Sequence, residues 1–475
     1  MGLKTPAEYR ESLRDGRVTY WQGDRIADIT KDKRFEVPIR TAMEDYEYYT
    51  SPEIFEIKTY ETEAGERAAR IFQIPKDEEA FHKRIALYEH ETVVGGVTAV
   101  LMALENVRGQ VAKVNGQYAE NIARIYRYAR DNDLRAAEVI TDPKGDRSRR
   151  PREQMDPDLY LRIVDRNADG IVVRGAKLHI TAASLVHELA VMPTKAMTED
   201  EKEYSVSFSI PVATEGVKII NRGHGHLDAS PFDYPVSARR NVPDGFVIFD
   251  NVFVPWDRVF LAGEWELSRV YATSLGLFER IAGLLGAVRS SKMLVGMAAL
   301  IAEYNGISKA SHIQEKIADL ITYAELIRHS AEAAVRNYEV SETGMLVPNG
   351  LDINSGKYYY AANYHQMVRN VHDIVGGNVV TLPHEADFLN EETAGYLKKY
   401  LVTNENVDVL DRVKLYHLIR DMTADSQGGW SLVTALQAGG GLAAQRIMMN
   451  RLYDLESAKD LVRRAAHIEQ YAGEE

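Results

Sequence analysis

The sequence predicts an α+β protein, mainly α, whose chain passes through three parts in the order helical, β, helical. Three observations predict it. Apolar residues recur at spacings of three and four between Ser12 and Arg135, β-branched runs and alternation take over from roughly 141 to 262, and the helical period returns from Glu266. The expected parts are an N-terminal helical domain at 1–140, a central β domain at 141–265 and a C-terminal helical bundle at 266–475.

In the first part, "DEEAFHKRIALYEHETVVGGVTAVLMALENV" and "NGQYAENIARIYRYARDNDLRAAE" carry the helical stripe, with acidic residues near their starts where the helix dipole favours them. The stretch "EVITDPKGDRSRRP", residues 138–151, sets a Pro and a Gly among charges and reads as a loop. In "LYLRIVDRNADGIVVRGAKLHIT" two β-branched runs flank Asn-Ala-Asp-Gly, a hairpin signal. Further strands read at "HELAVMPT", "YSVSFSIPV", "GVKII" and "GFVIFDNVFVP", with Val206, Phe208 and Ile210 in clean alternation.

The bundle opens with "ELSRVYATSLGLFERIAGLLGAVRSSKMLVGMAALIAEYNG". The next helix begins with Ser311 and Gln314 at capping-box spacing. Two more read at "NSGKYYYAANYHQMVRNVHDIVGG", stopped by Gly376 and Gly377, and at "DRVKLYHLIRDMTA". No solenoid-length repeat or low-complexity linker separates the parts, so they are expected to pack together.

Composition removes whole classes of function. A chain of 475 residues with 45% hydrophobic content can bury a substantial core. A formal net charge of −13 argues against a nucleic-acid or anionic-membrane binder, because a polyanion gains nothing from an acidic surface. The sequence has no cysteine, which rules out disulfides, thiolate metal sites, cysteine-ligated iron–sulfur clusters and cysteine nucleophiles. The N-terminus shows no apolar run of signal-peptide length and no stretch reaches about eighteen uninterrupted apolar residues. A soluble cytoplasmic protein is expected.

Several stretches carry both a chemical and an ordinary reading. His224 and His226 in "HGH" have chelate spacing but no convergent carboxylate nearby in sequence, and a loop is the favoured reading. His179 and His187 sit at strand ends, where structural hydrogen bonding is the commoner role. "VGGNVV" is either a helix stop or a place of close backbone approach to a ligand. The tyrosines of "KYYYAANYH" favour core or subunit packing over stacking on a cofactor, and "GGWSLVTALQAGGGLAAQR" suits tight packing as well as a flavin-edge loop.

The loop at 138–151 is either a solvated turn or an anion-binding segment, for Lys144, Arg147, Arg149 and Arg150 place cations beside exposed amides. No G-x-G-x-x-G or G-x-x-x-x-G-K-[ST] fingerprint occurs, so a dinucleotide would not be held in a Rossmann or Walker manner.

Taken together, "SLRDGRVTYWQGDRIADIT", "TDPKGDRS", "DGIVVRGAKLHITAASLVHELAVMPTKAMTEDEKEYSVSFSIP", "VIFDNVFVPWDRVF", "AALIAEYNGISKASH" and "AQRIMMNR" resemble the flavoprotein group that joins 4-hydroxybutyryl-CoA dehydratase with the oxygenase components of 4-hydroxyphenylacetate 3-monooxygenase. The resemblance covers nearly the whole chain. It implies an acyl-CoA dehydrogenase-like fold with a central β-barrel between the two helical parts, a homotetramer, and FAD between domains and subunits. The flavin-lining positions it implies here are Thr141, Asp142, Lys144 and Arg147 in the charged loop, Thr181 of "HIT", and Gly376, Gly377 and Asn378.

This chain departs from both branches at their reaction centres. The dehydratases hold a [4Fe–4S] cluster through three Cys and one His, and the positions of the last His and Cys read Glu279 and Gly286 here. With no cysteine the cluster is expected to be absent. The phenol hydroxylases use an Arg, a Tyr four residues later and a His before the flavin loop; an ungapped count gives Gly96, Val100 and Glu138, while an Arg–Tyr pair at that spacing, Arg84 and Tyr88, lies twelve residues earlier.

The expected catalytic residues are therefore Glu138 and Glu279, with no metal. The leading expectation is the oxygenase component of a two-component monooxygenase, using FADH2 from a separate flavin reductase and O2 to oxygenate a small organic substrate. The alternatives are a cluster-free FAD-dependent dehydratase, isomerase or desaturase acting on an acyl-CoA-like or acid substrate, and a non-catalytic relative.

Overall fold

The computed structural model describes residues 2–468. Helices dominate both ends of the chain, but the strands draw on more of the sequence than the β part alone.

One six-stranded sheet contains Gly170–Thr181 and Asp244–Pro255 at its centre, flanked by Arg162–Arg166 on one side and Val217–Arg222 on the other. The chain around Thr19–Trp21 and Asp24–Ile26, expected to be helical, completes it; Thr19–Trp21 runs parallel to Val217–Arg222. A four-stranded sheet holds Val259–Ala262, Val206–Pro211, Glu188–Val191 and Ala136–Val139 in that order. Among the described residues these are two open sheets, not one closed barrel. Bulges in the central pair, between Gly245 and Val247 and between Phe249 and Val252, bend it locally without closing it.

The predicted hairpin forms between Arg162–Arg166 and Gly170–Thr181, with Asn167 at the turn accepting from the Asp169 and Gly170 amides. The alternation in Val206–Pro211 suggests one wet face, yet Ser207 and Ser209 are fully buried with their neighbours. Their hydroxyls are satisfied internally, by the Val191 carbonyl and the Glu188 carboxylate.

The N-terminal period breaks into Glu78–Leu87, Val93–Val97 and Val100–Val114, and Asn115 caps Gly116–Asp131. The bundle is built on Ser268–Tyr304, Ser311–Arg336, Gly350–Val375 and Val409–Thr423. The second of these starts as expected but without the capping box: Ala310 is the cap, and the Gln314 amide turns to the Ser308 carbonyl. Gly376, at φ +75°, ends the third, the left-handed stop the sequence signals.

By length and apolar composition the segment Trp265–Tyr304 is the one helix among the described residues sufficient to cross a membrane. Its Leu294, Met297 and Ile301 instead form the bundle core with Leu320, Tyr323 and Val371. A larger core joins the N-terminal helices to both sheets, from Tyr9 and Phe35 through Leu101 and Ile125 to Val191 and Phe249. The functional cavity lies where these two packed bodies meet.

Candidate active site

A cavity of about 430 Å³ is lined by Tyr88 and Glu91 from the turn between Glu78–Leu87 and Val93–Val97, Gly96 from the second of these helices, Glu138, His179 and Thr181 from the sheets, Thr141 from the loop after Ala136–Val139, and Glu279, Gly286, Lys357, Tyr360 and Trp430 from the bundle. A larger depression of about 650 Å³, beside Arg166, Lys202 and Glu264, gathers none of the expected site residues.

Glu138 lies on a strand, not in the loop its charged neighbours suggest. Ala136–Val139 pairs in parallel with Glu188–Val191, setting Glu138 opposite Ala190. Alternation turns Glu138 to the face opposite Ala137 and Val139, both fully buried. Burial pushes its carboxyl well above the usual carboxylate range, and the charge of Glu279 pushes it further. Both causes favour its protonated form.

Glu279 projects from Ser268–Tyr304, and its Oε1 accepts the Gly439 amide at 2.8 Å. Burial raises this carboxyl too, against the opposing pull of the Gly439 N–H, Arg280 and Lys357. Lys357, on the buried stripe of Gly350–Val375, donates to the Ala435 carbonyl at 2.9 Å. Burial brings its ammonium down to about 8, with Glu279 resisting. Two carboxyls raised by burial and one ammonium lowered by it thus line one cavity.

The site is braced by Asp244. Its Oδ1 accepts the Thr181 hydroxyl at 2.7 Å and its Oδ2 accepts the Trp430 indole N–H at 2.9 Å, tying the end of Gly170–Thr181 to the Ser426–Gln437 helix. His224 stacks on Trp430 with ring centroids 4.7 Å apart, while His226 pairs with Asp425 at 2.9 Å, so the two histidines of "HGH" diverge. His187 lies in the core between the Ser12 hydroxyl and the Arg135 amide, a structural role.

The other expected positions divide. Thr141 lines the cavity, and its carbonyl accepts the Leu178 amide at 2.7 Å. The Asp142 carboxylate is committed to the fold: it pairs with Lys177 at 2.9 Å and accepts the Leu161 amide and the Thr194 hydroxyl. Any cofactor contact from this residue falls to its backbone. Lys144 and Arg147 lie exposed beyond the cavity lining, as do Gly376 and Gly377, with Asn378 half-buried beside them.

Tyr88, Glu91, Lys357 and Trp430 were not singled out as site residues from the sequence. Lys357 had a signal: a lysine on the stripe of Ile353, Tyr360 and Tyr364 interrupts an apolar face and asks for a buried partner. Tyr88 belongs to the Arg–Tyr pair that the ungapped count sets aside. Its hydroxyl is raised by burial, with the Arg84 guanidinium opposing, and it faces the same cavity as Glu138. Of the two counted positions, Gly96 lines the cavity and Val100 is fully buried.

A cavity with two carboxyls raised by burial, at the junction of helical and β parts, is the candidate active site of a helical–β–helical protein. Residues 5–261 match the family described as 4-hydroxyphenylacetate 3-hydroxylase N terminal, and residues 270–467 match 4-hydroxyphenylacetate 3-hydroxylase C terminal. The chain belongs to the 4-hydroxyphenylacetate 3-hydroxylase family.

It is 32% identical to the 4-hydroxyphenylacetate 3-monooxygenase oxygenase component of Thermus thermophilus, over 90% of this chain and 89% of that one. It is 29% identical to the 4-hydroxybutyryl-CoA dehydratase/vinylacetyl-CoA-Delta-isomerase of Clostridium aminobutyricum, over 98% and 100% of the two chains. The crystal structure of a 4-hydroxyphenylacetate 3-monooxygenase oxygenase component complexed with FAD superposes with a TM-score of 0.88 at 29% identity, covering 97% of this chain and 98% of that one.

Glu138, Glu279 and Gly286, drawn from different parts of the chain, all line the same space.

Proposed function

We propose that the chain is the oxygenase component of a two-component flavin monooxygenase, which takes FADH2 from a separate flavin reductase and uses O2 to oxygenate a small organic substrate. Family membership and relatives named as monooxygenase components support this reading. The observation that carries it is the convergence of Glu138 with Thr141 and Thr181, from the segments that resemble flavin-lining stretches, on one cavity.

The residues present fit FAD. The cavity has the size of a ligand site, with threonine hydroxyls and the Trp430 indole on its wall. The exposed cations Lys144 and Arg147 suit the pyrophosphate outside it. Bound FADH2 would supply the two electrons and two protons with which one atom of O2 enters a substrate C–H bond and the other leaves as water.

The protein's own part is protonic and steric. Glu138, whose carboxyl burial pushes toward the protonated form, donates a hydrogen bond to a substrate oxygen or nitrogen when protonated and accepts a proton when ionised. Glu279 and Lys357 line the same cavity and act on each other's charge through space. Tyr88, Val97, Ile140 and Tyr360 supply apolar wall, which limits contact of reactive species with water once ligands fill the cavity. The same reading extends to a cytoplasmic homotetramer with the acyl-CoA dehydrogenase-like layout, in which Gly376, Gly377 and Asn378 serve the cofactor from the surface.

The dehydratases' iron–sulfur cluster does not fit this chain, which offers Glu279 and Gly286 and no thiolate. A second reading survives without it: a FAD-dependent dehydratase, isomerase or desaturase on an acyl thioester or acid. It is favoured by Glu279, a carboxyl fixed by the Gly439 amide where a base could remove a proton beside a carbonyl.

Anaerobic flavin titration, followed by admission of O2 and candidate substrate, separates the readings. Preferential binding of FADH2, with oxygenated product and consumption of O2, supports the oxygenase; tight oxidised FAD and no oxygen transfer supports the second reading; no affinity for either flavin form sinks both.

A further inference from the structure

We propose that Gly96 and Gly286 set the size of the substrate: the space that side chains would fill at these two helix positions takes the apolar body of the bound molecule. The inference deepens the oxygenase reading, on which it rests for the reaction; the binding rests on the cavity alone.

A glycine inside a helix is destabilising relative to alanine, and two structural needs ordinarily account for one. The first is a left-handed backbone, and neither Gly96 nor Gly286 has a positive φ. The second is close packing within the chain. It accounts for Gly95, where a Cβ would collide with the Glu91 carboxyl, and for Gly356, where a Cβ would come within 2.5 Å of Ser330 Cβ. At Gly96 and Gly286 a Cβ would meet no heavy atom within 4 Å beyond its own stretch of helix. Both residues line the cavity of about 430 Å³, Gly96 from Val93–Val97 and Gly286 from Ser268–Tyr304. A side chain at either position would therefore enter the cavity, and its absence widens it.

The neighbours of the two glycines decide what that width is for. Val93 and Val97 line the cavity on the first helix, and Ala282 lines it one turn before Gly286 on the second. These stretches of wall are apolar and suit an uncharged hydrocarbon body, whose burial is favourable in proportion to its area. Glu279 lies two turns before Gly286, so a polar reacting group belongs at that end and the body of the molecule at the other. Thr141 and Thr181, from the segments that resemble flavin-lining stretches, come from the β part of the chain. The helical wall that carries both glycines thus falls to the substrate.

The test is anaerobic calorimetry of the full chain, with FADH2 present, using phenol, 4-ethylphenol and 4-butylphenol, which are uncharged at about pH 7 and differ in apolar length. Wild type is expected to bind more tightly along the series, by about threefold for each added methylene. Gly286→Leu should cancel that gain, weakening 4-butylphenol about tenfold or more and phenol by less than about threefold, and Gly96→Val should do the same. FADH2 affinity should stay within about twofold of wild type in both variants. Gly286→Ala adds one methyl in a helix interior and should keep or raise the urea midpoint.

Unchanged binding of 4-butylphenol in both variants, equal weakening of phenol and 4-butylphenol, or a parallel loss of FADH2 affinity overturns the inference. So does a lower urea midpoint for Gly286→Ala with a changed oligomeric state, which would show that a second copy of the chain takes up the space. If Gly286→Leu does not fold, Gly96→Val carries the same expectation. FADH2 affinity without binding of the phenol series overturns this inference alone, and size-dependent phenol binding without affinity for either flavin form overturns the oxygenase reading alone.

Discussion

Glu138 on Ala136–Val139 and Glu279 on Ser268–Tyr304 face one cavity from two different parts of the fold, and the charge of Glu279 helps hold the proton on Glu138. Neither carboxyl is a packing accident of a single element. Bringing two acids together in a buried space costs stability, and cavities that accept that cost are where proton chemistry is done.

That cost has a pH signature. The folded-state pKa of Glu138 is raised, so its contribution to stability is full below the unfolded value of about 4.3 and is lost as pH rises through the folded value. Glu138→Gln does not titrate. The variant should therefore gain on the wild type in urea midpoint as pH rises above about 4.3. A gap between the two that stays constant from acid to neutral pH would show that Glu138 is solvated after all.

Lys357 runs the other way. Its folded pKa, about 8, lies below the unfolded value, so burying the ammonium costs stability at neutral pH and the cost disappears as pH rises from about 8 to 10.4. Wild type should gain stability across that window relative to Lys357→Met, by on the order of 1–3 kcal/mol. The same substitution removes a charge that opposes the rise of Glu279, so the Glu279 proton should be kept to higher pH, read as its carbonyl stretch by infrared titration.

Asp244 joins the sheet to the bundle through the Thr181 hydroxyl and the Trp430 indole. Asp244→Ala leaves both donors without an acceptor, at about 1–3 kcal/mol for each buried one. Chemical denaturation should register the loss, and Trp430 fluorescence should report a displaced indole. Flavin affinity should fall about tenfold with it. Asp244→Asn, which keeps one acceptor, should fall between the two; an unchanged Asp244→Ala would mean the clamp is idle.

The order of parts was legible because periodicity is local: the hairpin at 162–181 and the stop at Gly376 are written in neighbouring residues. What failed depended on distant partners. Thr19–Trp21 becomes a strand by pairing with Val217–Arg222, and Ala136–Val139 by pairing with Glu188–Val191, and neither short run announces this alone. For the site, the resemblance pointed to Glu138, Glu279, Thr141 and Thr181, which meet at the cavity. It could not show that Asp142 spends its charge on Lys177, or that Tyr88, Glu91 and Lys357 close the same space, because those depend on packing between elements.

Gly439 is the tightest link between backbone and chemistry. Its φ is +72°, and a Cβ there would come within 2.9 Å of Arg280 Cγ. Its amide is also the donor to Glu279. Gly439→Ala should cost about 1–2 kcal/mol from the left-handed conformation, with more from the clash if Arg280 cannot give way. Displacing the amide also removes a hydrogen bond that lowers the Glu279 pKa, so the Glu279 proton should titrate at higher pH than in wild type. Gly441 supplies the control: it sits in the same turn with φ −66° and a nearest neighbour 3.7 Å from its Cβ position, so Gly441→Ala should be nearly neutral. Equal urea midpoints for the two alanine variants, with no change in Glu279 titration, would separate the turn from the chemistry of Glu279.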